Sequence, residues 1–531
     1  MELTWASQRI GRIRDWNRQR QLYYGALGAI VLIAVALRFR RLGVASLWID
    51  EAFSSWAAWN FLTGNGFSDP IGPSSPYRRA WLTTSLPIAA SFELFGRTEF
   101  AARLPSVLYS LGTVGVGYFI AVRYNRLGGL LTAGFLAVDP FFLIWGRVAR
   151  MYTALGFFFF ASIYVILRWY DQEFQFRSPY PFVLVVLVYL GQNAQQAYLA
   201  LGASTVLFLA MLLAGRLWVL ETLSVDAVDS TSKRLAVLIV GGVLVAGLYV
   251  VLRGFPGIVT ASPPSTWPDR DLMYYWKLFG QAYPVLRYLF VAGAMYLWVQ
   301  RPDARLLVLA FVVSFVVASV TPRKAPRYVY HLLPLVAIPG LYAIAEVLTV
   351  LWRKVTEGDD ELGMISQGVV YAVPVVVLLI VASPLAGFAA TESVNDSPYH
   401  PGVSEWREAS AYVTEHADED DVIVSTRPEL SMWYYGETDY FFRQNGLGPV
   451  VERDGEYVHP RTGAVYLNDT EDVQVLLEGE QDVWLIAGKK FELNFTDSEA
   501  RALVQEEFER RGSESWRNIE LYYQNGNSTQ E

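Results

Sequence analysis

The chain contains no cysteine, which excludes disulfides and thiolate metal sites alike. Histidine is nearly as scarce, and His331, His400, His416 and His459 are scattered without the spacing of a zinc site, which argues against a histidine-based metal centre. Lysine is also rare, six residues against 37 arginines in a chain of 531. No glycine-rich phosphate loop follows a predicted strand, so the chain carries no nucleotide-binding signature. Nor is there an internal repeat of the kind from which many transporters are built. What the sequence has in excess is apolar surface: 53% of it is hydrophobic and 15% aromatic, gathered in long blocks. That composition describes a polytopic α-helical membrane protein.

Eleven spans are expected, near 22–40, 101–122, 127–146, 152–170, 181–194, 197–217, 235–252, 283–299, 306–321, 329–351 and 367–389. The five arginines of Met1 to Arg20 place the N-terminus in the cytoplasm, and the first apolar run has no cleavage site behind it. An odd number of spans sends the C-terminal tail outside. Residues 81 to 96 read as an extra interfacial or re-entrant helix. The net charge of −8 conceals two opposite halves, +11 for residues 1–390 and −19 for residues 391–531. The division expected is therefore a membrane catalytic domain, 1–390, and an acidic soluble domain, 391–531, joined by the turn-rich stretch 395–402. Helical periodicity from Trp406 to His416 and β-rich runs at 421–425 and 483–487 make that tail a small α/β domain. All four glycosylation sequons, at Asn395, Asn468, Asn494 and Asn527, lie in it, in keeping with an external tail. An acidic, lysine-poor surface suits hydration in high salt and points to a halophilic archaeal host.

Candidate chemistry begins with Asp50-Glu51, two carboxylates at the edge of the first span and at the start of the first external loop. Ionisable groups near lipid are costly unless solvated or used. Phe53, Trp56, Ala57 and Asn60 follow at helical spacing, which reads as a helix lying in the membrane interface. On the assumed topology Arg78, Arg79, Arg97, Arg103, Arg147, Arg150, Arg323, Lys324 and Arg327 also fall on the outside. That runs against the positive-inside tendency and points to an anionic partner, for which phosphate is the strongest candidate. Pairing with acids inside the bundle, or binding of lipid head groups, is the competing explanation. Paired acids facing a cationic cluster suit displacement of a phosphate-linked leaving group, as when a sugar leaves a lipid phosphate and a carboxylate deprotonates the incoming hydroxyl. Asp139, before Pro140, is a further candidate acid, with helix-end solvation as its alternative.

The motifs Trp48-Ile49-Asp50-Glu51-Ala52, Phe95-Gly96, Glu99-Phe100-Ala101 and Arg103-Leu104-Pro105-Ser106 recur in a known pattern. So do Arg147-Val148-Ala149-Arg150-Met151-Tyr152, Pro326-Arg327-Tyr328 and Trp406-Arg407-Glu408-Ala409. On these residues the chain resembles the lipid-phosphate-sugar glycosyltransferases of the GT-C fold, the group that includes dolichyl-phosphate-mannose protein mannosyltransferases and the aminoarabinose transferase acting on lipid A. The resemblance implies Asp50 as the base and Glu51 as its support or an acceptor contact. It implies Arg103, Arg147, Arg150, Arg323, Lys324 and Arg327 as holders of the donor phosphate, with Tyr152, Tyr328 and His331 near sugar or acceptor. The implied partners are a polyprenyl or dolichyl phosphate sugar donor, mannose before other sugars, a glycan or protein acceptor, and membrane lipids. Nucleic acid is not among them. Two elements depart from the family: Thr84-Ser85-Leu86-Pro87 replaces a His-Pro-Pro element, and Gln195-Gln196-Ala197-Tyr198 stands where a histidine-containing element is common. Acceptor contacts are therefore not carried over. No cofactor is certain, and a divalent cation on the paired carboxylates stays open. An oligosaccharyltransferase is the enzymatic rival, though Trp433-Tyr434-Tyr435-Gly436 lacks the aspartate of that family's acceptor motif and reads as a packed aromatic strand or turn. A lipid or solute transporter is the rival from another class.

Overall fold

The computed structural model describes residues 2–222, 230–253, 271–321, 324–357, 404–442, 450–488, 498–512, 516 and 518–526. Helix α1 (Glu2–Phe39) carries the first apolar run and turns through residues 40–48 into the short α2 (Ile49–Leu62). A π-helical turn, Trp81–Ser85, runs into α3 (Leu86–Phe95). Then come α4 (Glu99–Ala121), α5 (Arg126–Val138), α6 (Pro140–Trp145), α7 (Tyr152–Asp171), α8 (Tyr180–Ala194), α9 (Leu199–Thr222) and α10 (Ser230–Arg253). Helices α11 (Tyr274–Ala282), α12 (Pro284–Gln300), α13 (Arg305–Val320) and α14 (Leu333–Glu357) complete the bundle. Among the described residues six helical stretches are long and apolar enough to cross a membrane, and α11 with α12, bent by 111°, would form a seventh. Helices α5 and α8 are apolar but shorter. The span expected at 367–389 and the linker at 395–402 lie outside the described residues.

The span expected at 127–146 is broken where Asp139 precedes proline. Pro140 offers no N–H to continue α5 and its ring disfavours helical geometry at Asp139, which instead adopts ψ 126° and accepts the Phe142 N–H at 2.8 Å. The break leaves carbonyls at the end of α5 without helical partners. Arg38, fully buried, takes two of them: its Nη1 donates to Ala137 O and its Nη2 to Leu136 O, while Nε donates to Ser110 Oγ. Around this point lies the main apolar core, in which Phe142 stacks on Tyr330 with centroids 4.4 Å apart.

The C-terminal region forms an eight-stranded sheet in the order β3-β4-β5-β2-β1-β6-β8-β7. Strands β1 (Val422–Ser425), β2 (Tyr440–Phe442), β5 (Val465–Leu467) and β6 (Val483–Gly488) pair in parallel at its centre. The antiparallel strands β3 (Val451–Arg453), β4 (Glu456–Val458), β7 (Glu509–Arg511) and β8 (Ile519–Gln524) finish its edges. β1 and β6 are apolar and almost wholly buried, as parallel strands covered on both faces must be. Helices α15 (Trp406–His416), α16 (Pro428–Tyr434), α17 (Thr470–Leu477) and α18 (Ser498–Glu507) accompany the sheet.

The boundary drawn at residue 390 is not a boundary in packing. One buried cluster contains Leu47, Ala52, Trp56, Ile88, Phe92 and Ala102 together with Trp406, Leu430, Trp433, Trp484 and Ile486. Helix α2 is therefore no surface anchor. Eight of its fourteen residues are buried, between α3 on one side and α16 on the other. The Trp433-Tyr434 segment, expected as strand or turn, is the end of α16, where Trp433 meets Trp56 edge-on at 5.2 Å.

Candidate active site

Asp50 and Glu51 are neighbours in the chain with different surroundings, because consecutive side chains on a helix diverge by about 100°. Glu51 is 1% exposed. Its Oε1 accepts from Arg103 Nε at 2.9 Å and Ala149 N at 2.8 Å, and its Oε2 from Arg103 Nη2 at 2.8 Å and Trp48 N at 3.0 Å. These contacts fill the lone-pair positions a carboxylate offers. Burial pushes the Glu51 carboxyl up, but the Arg103 charge and these bonds prevail and hold it below the ordinary glutamate range. Glu51 thus latches the start of α2 to α4 and to the 147–151 turn, and has no capacity left for an acceptor or a cation.

Arg103 is spent in the same latch. Besides Glu51 it donates to Leu42 O, Ala45 O and Ser46 O, so all five of its N–H groups are used and none faces a phosphate. Lys324 also differs from expectation: its ammonium donates to the carbonyls of Ala318, Ser319 and Thr321, closing the C-terminus of α13. Asp139 gives its carboxylate to the N-terminus of α6 and accepts the Tyr283 hydroxyl at 3.0 and 2.9 Å, which makes it a helix cap. His331 is 2% exposed and packs on Phe159 with centroids 5.1 Å apart, inside the bundle. Arg323 lies outside the described residues.

What the fold does bring together surrounds Asp50. Its carboxylate makes no hydrogen bond among the described residues, and it interacts electrostatically with Arg150, Arg327, Tyr152 and Arg427. Arg150, 2% exposed, donates through Nη1 to Asp50 O at 2.8 Å, Ser54 Oγ at 3.0 Å and Tyr77 OH at 2.9 Å, leaving Nε buried without a partner among the described residues. Arg327 donates to Tyr152 OH at 3.1 Å and sits over Trp48 and Tyr328, each centroid 5.2 Å away, with Trp145 at 5.9 Å. Arg147 donates to Arg40 O at 2.6 Å, yet its Nε and Nη1 are buried with no hydrogen-bond partner among the described residues. Burial and the nearby charges of Arg103, Arg38 and Arg40 push the Arg147 guanidinium down to about 10.

Tyr77 and Trp145 also surround Asp50 and were not singled out in the sequence, whereas Trp48 was quoted there only as part of the acidic motif. Trp145 stands just before the arginine motif and was visible there as an aromatic flanking charge. Nothing local marks Tyr77. Among the described residues no three carboxylate or histidine side chains gather as they would around a metal ion, and with Glu51 committed to Arg103 the adjacent pair does not form a chelate.

Residues 80–225 match the family model described as dolichyl-phosphate-mannose-protein mannosyltransferase. No curated protein matches the chain. ArnT from Cupriavidus metallidurans in the apo state superposes with a TM-score of 0.58 at 12% identity, over 95% of this chain and 98% of that one. ArnT bound to undecaprenyl phosphate gives 0.57 at 13% identity, covering 94% and 98%. The Archaeoglobus fulgidus oligosaccharyltransferase tethered to an acceptor peptide with the NVT sequon gives 0.54 at 11% identity, covering 94% of this chain and 74% of that one. The chain thus shares the GT-C fold of these glycosyltransferases over nearly its whole length, with the mannosyltransferase family match confined to residues 80–225.

Proposed function

We propose that the chain is an inverting glycosyltransferase that moves a sugar, mannose before others, from a polyprenyl or dolichyl phosphate to a glycan or protein acceptor at the external face of the cell membrane. The observation that carries this reading is the division between the two acids: Glu51 is locked to Arg103, while the Asp50 carboxylate makes no hydrogen bond among the described residues and interacts electrostatically with Arg150 and Arg327. The undecaprenyl phosphate in ArnT supports a lipid phosphate donor, and the family description supports mannose.

In this reading Asp50 takes the proton of an acceptor hydroxyl, whose oxygen bonds to the anomeric carbon from the face opposite the phosphate. The bond from that carbon to the phosphate oxygen breaks, the phosphate leaves with the electron pair, and configuration inverts. Arg150, Arg327 and the unpaired N–H groups of Arg147 stabilise the charge on the departing lipid phosphate. Tyr152 orients Arg327 through its hydroxyl, and Tyr328 packs against it.

The test uses the full chain in lipid nanodiscs, radiolabelled polyprenyl-phosphate-mannose as donor, and acceptors in host membranes lacking the chain. Asp50→Asn is expected to lower transfer by about 10²–10⁴-fold with unchanged thermal unfolding. Transfer at the parental rate would overturn the assignment of the base.

A further inference from the structure

Between α2 and the π-helical turn the chain runs through residues 63–80 as a loop, and its course is fixed first from α2. Asn60, buried on that helix, spends its amide on Ser68 O at 3.3 Å, Ser68 Oγ at 3.1 Å and Asp69 O at 2.7 Å. The loop then doubles back on itself. Asp69 N donates to Ser75 O at 2.9 Å, Ser75 Oγ to Asp69 Oδ2 at 2.9 Å, and Tyr77 N to Phe67 O at 2.8 Å, with Ser68 and Pro76 paired between them. Gly72, at φ 90°, makes the reversal in a conformation that suits glycine. The closed loop delivers Tyr77, 7% exposed, whose hydroxyl accepts from Arg150 Nη1 at 2.9 Å.

The second support comes from the C-terminal region. The turn between β4 and β5 closes through Gly463 N to His459 O at 2.9 Å and His459 N to Ala464 O at 2.8 Å, and His459 Nε2 lies 3.4 Å from Glu429 Oε1 on α16. From this braced turn Arg461 O accepts Ile71 N at 2.8 Å, and Gly463 sits so near Ile71 that an added Cβ would lie 3.3 Å from its Cδ1. The Arg461 guanidinium lies 4.0 Å from the centroid of the Phe53 ring on α2, with Nη1 3.5 Å from Asp69 Oδ1. One side chain thus touches both α2 and the loop.

We propose that Arg461 is a positioning residue of the transfer site: it clasps residues 67–77 to α2 and to the C-terminal region, and through them sets Tyr77 against the Arg150 guanidinium. Its role there rests on Arg150 holding the donor phosphate, as proposed above. Arg150 Nη1 is met by Asp50 O and Ser54 Oγ from α2 and by Tyr77 OH from the loop, so the plane of the guanidinium is set from two directions. With the plane is set the direction of the buried Nε, which has no partner among the described residues. Without the loop's share the cation can turn about its stem and meet a phosphate at the wrong angle. No hydrogen bond of the clasp reaches the Asp50 carboxylate, so the loss falls on the donor.

The experiment pairs a spin-label measurement with kinetics, both on the full chain in nanodiscs. Ser74→Cys, at an exposed position of the loop in a chain without other cysteines, carries the nitroxide. Arg461→Ala should free the label and raise the KM for polyprenyl-phosphate-mannose about tenfold, the worth of one hydrogen bond to a charged group, with the dependence on membrane acceptors unchanged. Arg461→Lys, which keeps a cation over Phe53, should restore both. Because Arg461 acts through Tyr77, Tyr77→Phe should raise the donor KM by the same factor, and adding Arg461→Ala to it should raise it no further, whereas independent losses would multiply. A multiplied KM in the double variant overturns the proposal. So does a freed label with an unchanged donor KM, or a label that Arg461→Ala leaves unmoved. Should Arg461→Ala fail to fold, Phe53→Leu removes the ring beneath the guanidinium and carries the same comparison. Arg150→Met, run alongside, separates the two claims: a parental donor KM in it defeats Arg150 as phosphate holder, whereas a raised KM there with an unmoved label in Arg461→Ala defeats the clasp alone.

Discussion

The Glu51 carboxylate accepts four hydrogen bonds, two of them from the buried Arg103 guanidinium, so its removal has a defined cost. Glu51→Leu strands the Arg103 charge in a buried site and should destabilise the chain by about 3–5 kcal/mol, read as a fall in the thermal midpoint in detergent. Because the folded Glu51 binds its proton less readily than the unfolded one, the latch stabilises fully above the unfolded value of about 4.3 and is lost as pH falls through the lower folded value. Glu51→Gln should flatten that acid limb of stability. Arg147 behaves in the opposite sense, since its Nε and Nη1 are buried and have no hydrogen-bond partner among the described residues. Arg147→Met should raise the stability of the donor-free protein by about 1 kcal/mol while lowering kcat/KM for the lipid donor, a trade between stability and function. At this scale the sequence displayed the residue types but not their assignments. That Asp50 and Glu51 matter was legible from two acids beside a membrane span. Which of them is free was not, because Arg103, 52 residues away, makes the choice. Lys324 looked like a phosphate ligand for the same reason: a helix end consuming three donors leaves no mark on composition.

Among the elements, the break between α5 and α6 shows how far a local signal carries. Asp-Pro inside an apolar run announces a helix interruption, and the structure has one there. The role of Asp139 depended on a distant partner, the Tyr283 hydroxyl. Asparagine can keep the cap and still accept from that hydroxyl, so Asp139→Asn should retain parental transfer. Asp139→Ala should lose about 1–2 kcal/mol of stability through the cap, measured by thermal unfolding. A large loss of transfer in a stable Asp139→Asn would return the residue to the chemistry. The tail's helix and strands were readable from periodicity at 406–416, 421–425 and 483–487. Helix α2 was readable as a helix but not as a buried one, since the aromatic face that suits an interface suits Trp433 and Arg97 equally well.

For the whole molecule, opposite charge on the two halves and a shared apolar cluster act together. If the −19 tail is built for high salt, the thermal midpoint of the full chain should rise between low and molar salt as repulsion among acids is screened. A flat response would speak against a halophilic origin. The orientation proposed, with the tail outside, is open to a direct check because the chain has no cysteine to confuse it. A lone cysteine placed at the exposed Asn468 should react with an impermeant maleimide in intact cells. The architecture of spans followed by an acidic α/β region was visible in composition. The junction between them was not, because it is made by contacts whose partners are hundreds of residues apart. Arg407 meets Glu99 across 308 positions, Tyr434 meets Leu47 across 387, and Arg461 meets Asp69 across 392. Those separations set an order of events during synthesis. Helix α2 enters the membrane region early, whereas α16, which seats it, emerges only when most of the chain has been made, and domains fold from the N-terminus as the chain is extended. A nascent chain therefore carries Asp50 long before it carries Trp433, and the packing around α2 is completed only once the C-terminal region has been made.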